Sequence, residues 1–97
     1  MFKELDPLLH SQLRLSVISI LVGVKEAEFS YLKEKTESTA GNLSVQIQKL
    51  AEAGYIQVKK EFRNNYPLTS CKITAKGIKA FETYVNNLKE YIQPGKK

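Results

Sequence analysis

Cysteine, histidine and tryptophan are almost missing from this sequence: there is one Cys, Cys71, one His, His10, and no Trp. A lone cysteine closes no internal disulfide, which fits a reducing compartment. A metal centre needs several ligands at defined spacing, so neither a metal nor another cofactor is expected, and an ArsR-like metal sensor is disfavoured. A Cys71–His10 nucleophile pair is disfavoured too, because Cys71 alternates with Ile73 in a period-two run and reads as a small core residue. A redox role for it would require an exposed thiolate of low pKa. Gly41 and Gly54 form no phosphate loop, and no two carboxylates sit at a convincing acid–base spacing, so the chain is not expected to be an enzyme. No apolar run approaches the roughly 20 residues of a membrane span. The most apolar segment, residues 16–24, is bounded by Arg14 and Lys25 and reads as a core helix. The start, MFKELDP, is polar and acidic where a signal peptide would turn apolar, so a cytoplasmic, nucleoid-associated protein without membrane contact is expected.

What is present is a chain of 97 residues, 42% hydrophobic and 26% charged, with a net charge of +5. That is one soluble domain with a modest core. The charge is unevenly placed. Residues 1–54 hold six Lys/Arg against seven Asp/Glu, and residues 55–97 hold nine against three. A basic half suggests a polyanion partner, although a soluble basic protein without one has the same composition.

Residues 36–56, TESTAGNLSVQIQKLAEAGYI, organise the reading. Ser38 or Thr39 is placed to cap a helix. Leu43, Ile47 and Leu50 form its inward stripe, and Gly54 is placed to end it in a left-handed conformation. At about 100° per residue, the outward face carries Ser38, Gly41, Asn42, Val45, Gln48, Lys49 and Glu52, with Gln46 on its edge. Asn and Gln can pair bidentately with adenine in a major groove, and a Val methyl can meet a thymine methyl. An ordinary solvated surface can hold the same residues.

Before this helix, residues 1–7 read as a loose arm with a turn at Asp6-Pro7. Ser11 is placed to cap a core helix over residues 12–22, with Gly23 as its stop. Residues 26–36 read as a short second helix anchored by Phe29 and Leu32, with Lys33 and Lys35 toward its end, where the dipole favours cations. Two helices joined by a short polar turn make a helix-turn-helix over about residues 26–53. After Gly54 the period becomes two, with Ile56, Val58 and Phe62 on one side. Residues 63–67, RNNYP, read as a turn, and residues 68–74 as a returning strand with Cys71 and Ile73 inward. The resulting wing, about residues 55–74, carries Lys59, Lys60, Arg63 and Lys72. Thr74 then caps a last helix over about residues 75–92. Its apolar positions Ile78, Phe81, Val85, Leu88 and Ile92 are spaced as a heptad seam, with Tyr84 and Tyr91 beside it. Pro94, Gly95, Lys96 and Lys97 read as a frayed basic end. The fold class is therefore α+β: mainly helical with a small hairpin, a winged helix-turn-helix with an extended C-terminal helix for dimerisation, in a single domain spanning residues 1–97.

Three stretches, DPLLHSQLRLSVISIL, TAGNLSVQIQKLAEAGYI and KITAKGIKAF, resemble small single-domain winged-helix transcriptional regulators of the MarR/ArsR-like superfamily. The likeness is carried by Gly41-Asn42-Leu43-Ser44, Leu50, Ala53-Gly54-Tyr55-Ile56 and the Thr74–Gly77 step. It implies a dimeric DNA-binding protein with Thr39, Asn42, Ser44 and Gln46 on the DNA-facing helix and Arg63 at the wing tip. Gln46 stands where many relatives carry a basic residue or His, and Thr36 where many carry an apolar one.

The expected function is a sequence-specific regulator that binds double-stranded DNA as a homodimer. Candidate base-reading residues are Ser38, Thr39, Asn42, Val45, Gln46 and Gln48. Candidate backbone and wing contacts are Lys33, Lys35, Lys49, Lys59, Lys60, Arg63, Asn64 and Asn65. Val85, Leu88, Tyr91 and Ile92 are the candidate dimer contacts. The rival readings are a winged-helix protein-interaction or scaffold module and a non-specific architectural DNA binder. No effector can be read from the sequence.

Overall fold

The computed structural model describes residues 2–92. Met1 and the expected basic end at residues 94–97 lie outside them. In chain order the elements are α1 (Gln12–Val24), β1 (Glu26–Glu28), α2 (Phe29–Thr36), α3 (Ala40–Glu52), β2 (Ile56–Arg63), β3 (Tyr66–Ile73) and α4 (Ala75–Ile92). The strands form one antiparallel sheet in the order β1-β3-β2. The core lies between the sheet and the helices: Val17, Ile18 and Leu21 of α1, Leu32 of α2, Leu43, Ile47 and Leu50 of α3, and Ile56, Cys71 and Ile73 of the sheet are buried. Among the described residues no helix is long and apolar enough to cross a membrane.

Several elements differ from the sequence reading. Helix α1 does not stop at Gly23. It continues to Val24, and Lys25 turns the chain at a positive φ of 77°. The Lys25 N–H bonds to Leu21 O at 2.7 Å, while its carbonyl accepts from Ile73 N at 2.9 Å. Those two bonds hold a side-chain-bearing residue in a conformation that usually favours glycine. Ser11 occupies the cap position of α1, but its side chain makes no capping bond. Residues 26–28 are a strand rather than the start of α2, pairing Glu26 with Lys72 and Glu28 with Ser70. A local periodicity cannot reveal this, because the strand exists to fill the open edge of β3.

The wing turn is also tighter than expected. Only Asn64 and Asn65 turn, with φ of 53° and 66°, as a two-residue hairpin of the primed type requires. Tyr66 and Pro67 already belong to β3, opposite Arg63 and Phe62. In such a hairpin the pair flanking the turn exchanges hydrogen bonds and the next pair does not. Pro67 falls in that second pair, so its missing N–H costs the ladder nothing. The expected inward row of β2 holds only at its base: Ile56 is buried, but Phe62 is 78% exposed, because the wing outruns the helices.

The N-terminal segment is anchored, not loose. Asp6 accepts from Leu8 N at 2.9 Å and from the Tyr55 hydroxyl at 2.5 Å, and its carbonyl closes a turn with the amides of Leu9 and His10. Leu9 is fully buried as a result. Phe2 packs on Tyr91 with ring centroids 4.8 Å apart, and Tyr91 donates to Lys3 O at 2.8 Å. The reading of α4 changes at one position: Tyr84, expected beside the seam, is buried in the core and hydrogen-bonded to His10 Nδ1 at 3.0 Å. Ile92, in the seam, is 67% exposed, where the helix outruns the core.

One junction ties these parts together. Thr74 Oγ1 accepts from Gly77 N at 3.0 Å, which caps α4 as expected, and it donates to Gly54 O at 2.7 Å, just beyond α3. Gly54 ends α3 at φ 83°. A Cβ on Gly77 would lie 2.2 Å from Tyr55 O and 2.9 Å from Ile73 Cδ1. Gly77→Ala therefore destabilises the protein by about 1–3 kcal/mol through overpacking, although alanine favours a helix by about 1 kcal/mol. Gly23→Ala, where nothing lies within 4 Å of the added carbon, stabilises by up to about 1 kcal/mol. Urea denaturation of the two variants checks both signs.

Burial pushes the Tyr55 phenol up to about 12, helped by its hydrogen bond to Asp6 and by the Asp6 charge. The folded state holds this proton more tightly than the unfolded chain does. The phenol's contribution is thus complete below the ordinary tyrosine value near 10 and is lost as pH rises from about 10 to about 12. Thermal unfolding of wild type and Tyr55→Phe across this window should show a decline that the variant lacks.

Candidate nucleic-acid interface

Helix α3 is amphipathic in the way its sequence dictates. Thr39, not Ser38, caps it: its Oγ1 accepts from Asn42 N at 3.2 Å. Ser38 is half-buried, with its Oγ 2.8 Å from Thr36 Oγ1, inside the turn between the two helices. With Leu43, Ile47 and Leu50 inward, Gly41, Val45, Gln48 and Glu52 face out, and Val45 is 48% exposed. Gln48 Nε2 donates to Glu52 Oε2 at 3.2 Å.

The two flanks of this face have different surroundings. On one flank, Asn42 and Lys49 are exposed and Gln46 is half-buried. Gln46 Nε2 donates to Asn42 Oδ1 at 2.9 Å, and Arg14 of α1 donates through Nη1 to Gln46 Oε1. On the other flank, Ser44, Gln48 and Ala51 line an open groove whose far wall is Val58, Lys60 and Thr69 of the wing. A duplex lying on α3 would meet this groove at its side.

The sequence groups Lys59, Lys60 and Arg63 as one cationic set, and the pleat divides them. Side chains alternate between the faces of a strand. Lys60 shares the face of Ile56 and Val58 and looks toward α3, whereas Lys59 and Arg63 look to the other side. There Lys59 Nζ lies 3.8 Å from Glu61 and Arg63 Nη1 lies 3.7 Å from Glu28. Both pairs are largely exposed, so they contribute little to stability and yield readily to another anion. Lys49 and Lys60 belong to neither of these ion pairs. Asn64 and Asn65 form the exposed wing tip, beside Phe62 and Tyr66. Lys33 and Lys35 are exposed on α2, and Lys35 Nζ stands 5.6 Å from the Tyr31 ring centre.

Cys71 is fully buried, and that burial pushes its thiol up to about 11. A raised pKa and a closed environment are opposite to what a redox sensor needs. Among the described residues no group of three or more His, Cys, Asp or Glu side chains is placed to hold a metal ion. Sequence reasoning missed Arg14, which served there only to bound an apolar run, and Thr69. Neither carries a local signal, because both gain their place from contacts distant in sequence.

Comparison with known proteins agrees with this geometry. A family profile described as a winged helix DNA-binding domain matches residues 13–92, from the second residue of α1 to the end of α4. Uncharacterized protein MJ0432 of Methanocaldococcus jannaschii is 40% identical over 76 residues, covering 78% of this chain and 83% of that protein. The transcriptional regulator homologue protein from Pyrococcus horikoshii OT3 has a similar structure, with a TM-score of 0.82 and 27% identity across 88% of this chain and 84% of its own. A MarR family transcriptional regulator from Silicibacter pomeroyi shares the fold at a TM-score of 0.67 and 15% identity, across 93% of this chain and 62% of its own. Fold, surface and profile agree: the chain belongs to the winged helix DNA-binding domain family.

Proposed function

We propose that this DNA-binding regulator reads a specific duplex sequence and acts as a homodimer in the cytoplasm. The observation that carries the proposal is the coincidence of two features on one side of the molecule. One is an exposed, largely uncharged α3 face bearing Asn42, Val45 and Gln48. The other is the groove beside it that ends in Lys60. Polar and small apolar groups discriminate base edges in the major groove, and a neighbouring lysine supplies phosphate affinity without sequence preference. The likeness to the Pyrococcus horikoshii transcriptional regulator homologue supports the regulatory part of the reading. Thr39 and Gln46 belong to the reading surface through the cap and the edge of α3. Lys33, Lys35 and Lys49 are the further phosphate contacts, and Arg63 joins them only when it leaves Glu28.

The dimer contact is assigned to the outer half of α4. Val85 and Leu88 are half-buried there, Tyr91 and Ile92 are exposed, and Phe2 packs on Tyr91. The domain is elongated, 56 × 25 × 21 Å, and an apolar surface on a helix that outruns the core suits a two-fold contact. A dimer of this kind prefers a palindrome with half-sites about one helical turn apart.

Binding curves on a selected and a scrambled duplex at several salt concentrations test the reading. Asn42→Ala should cost about 1–3 kcal/mol on the selected duplex alone, and Lys60→Ala should weaken both and lower the salt slope by about one. Equal affinity of the wild type for both duplexes would instead identify a non-specific binder, and no duplex binding at all an interaction module. Sedimentation should give the mass of two chains for the wild type and of one for Ile92→Glu.

A further inference from the structure

We infer that Arg14, a residue of α1, is a positioning residue that sets which base edge Asn42 can address; this rests on the DNA-reading assignment above. A guanidinium has only donors. Facing Gln46, it can meet only the amide oxygen, and Arg14 Nη1 donates to Gln46 Oε1. Gln46 must then turn its NH₂ group the other way, where Nε2 donates to Asn42 Oδ1 at 2.9 Å. Asn42 in turn must offer its oxygen to Gln46, and its own NH₂ points away from that contact. One cation thus fixes the orientation of two amides in sequence. Arg14 is itself held, because its Nε donates to Leu8 O at 2.6 Å and Leu8 N donates to Asp6 Oδ1 at 2.9 Å.

The consequence concerns base choice. A free asparagine offers an acceptor and donors together, which is what the bidentate match to adenine N6 and N7 requires. Asn42 has one of the two lone pairs of its oxygen engaged by Gln46 along the helix surface, and its N–H groups lie on the side away from that contact. The major-groove edge of guanine offers two acceptors, N7 and O6, whereas adenine places an N6 donor beside N7. With one lone pair already occupied, the oxygen is the poorer partner for the adenine N6 donor, while both N–H groups remain for N7 and O6. Guanine therefore gains over adenine at the base addressed by Asn42, and the preference depends on a side chain that touches no base.

Selection of duplexes from a random pool by wild type, Asn42→Ala and Arg14→Met tests this. The position that loses its preference in Asn42→Ala identifies the base concerned. Wild type should favour guanine there over adenine by about tenfold. Arg14→Met, verified as folded by its thermal transition, should lose most of that ratio. Adenine preferred by the wild type, or an unchanged ratio in Arg14→Met, overturns the inference while leaving sequence-specific binding intact. A wild type with no preference at any position overturns the reading beneath it as well. Side-chain amide spectra of the wild type need no folded Arg14 variant: a Gln46 amide proton shifted downfield, and returned toward its random-coil position by Asn42→Ala, is expected. A Gln46 signal indifferent to Asn42→Ala overturns the relay.

Discussion

The structure depends on the Thr74 hydroxyl. Through one oxygen it caps α4 and binds the carbonyl that follows α3, and the Thr74 amide adds a bond to Tyr55 O at 3.1 Å. The end of α3, the base of both long strands and the start of α4 therefore meet at a single point. Gly77 allows the close approach there, and Lys76 covers the junction, its Nζ 5.8 Å from the Tyr55 ring centre. Tyr55 then extends the connection to Asp6 and so to the N-terminal segment. Four parts of the chain that are remote in sequence are fixed relative to one another by a few short polar contacts over a small apolar core.

That junction matters for the proposed DNA binding, in which a duplex touches α3 and the wing together. The hairpin is anchored only at its base, where Ile56, Cys71 and Ile73 are buried. β1 pairs only with residues 70–72, in that base half, and the outer half stands largely in solvent. The angle between the wing and α3 is therefore set at the base, while the tip is free to follow a phosphate backbone. The Arg63–Glu28 pair bridges these regimes: it ties the tip loosely to β1 by an exposed contact that a phosphate can displace.

The parts of this design governed by local rules were legible in the sequence. The stripe Leu43–Ile47–Leu50, the left-handed Gly54, the Cys71 and Ile73 alternation and the Thr74 cap each follow from a few neighbouring residues. What was not legible arises between distant segments. Residues 26–28 become a strand because β3 has a free edge, and Lys25 can replace a glycine because Ile73 N reaches its carbonyl. Tyr84, expected beside the seam, joins the core because His10 waits there for its hydroxyl, and the arm is anchored because Tyr55 meets Asp6. The candidate site divides in the same way. The outward residues of α3 were readable from a helical wheel, but the hold of Arg14 on Gln46 and the separation of Lys60 from Lys59 were not.

The alternation of the wing carries an evolutionary constraint. A single-residue insertion or deletion on the tip side of Val58 would exchange the partners of every residue beyond it, bringing a different charge to look at α3 while the composition stays nearly constant. A two-residue change would restore the original facing and only alter the reach. Homologous wings that work in the same way should therefore differ in arm length by even steps, unless a bulge absorbs the odd residue.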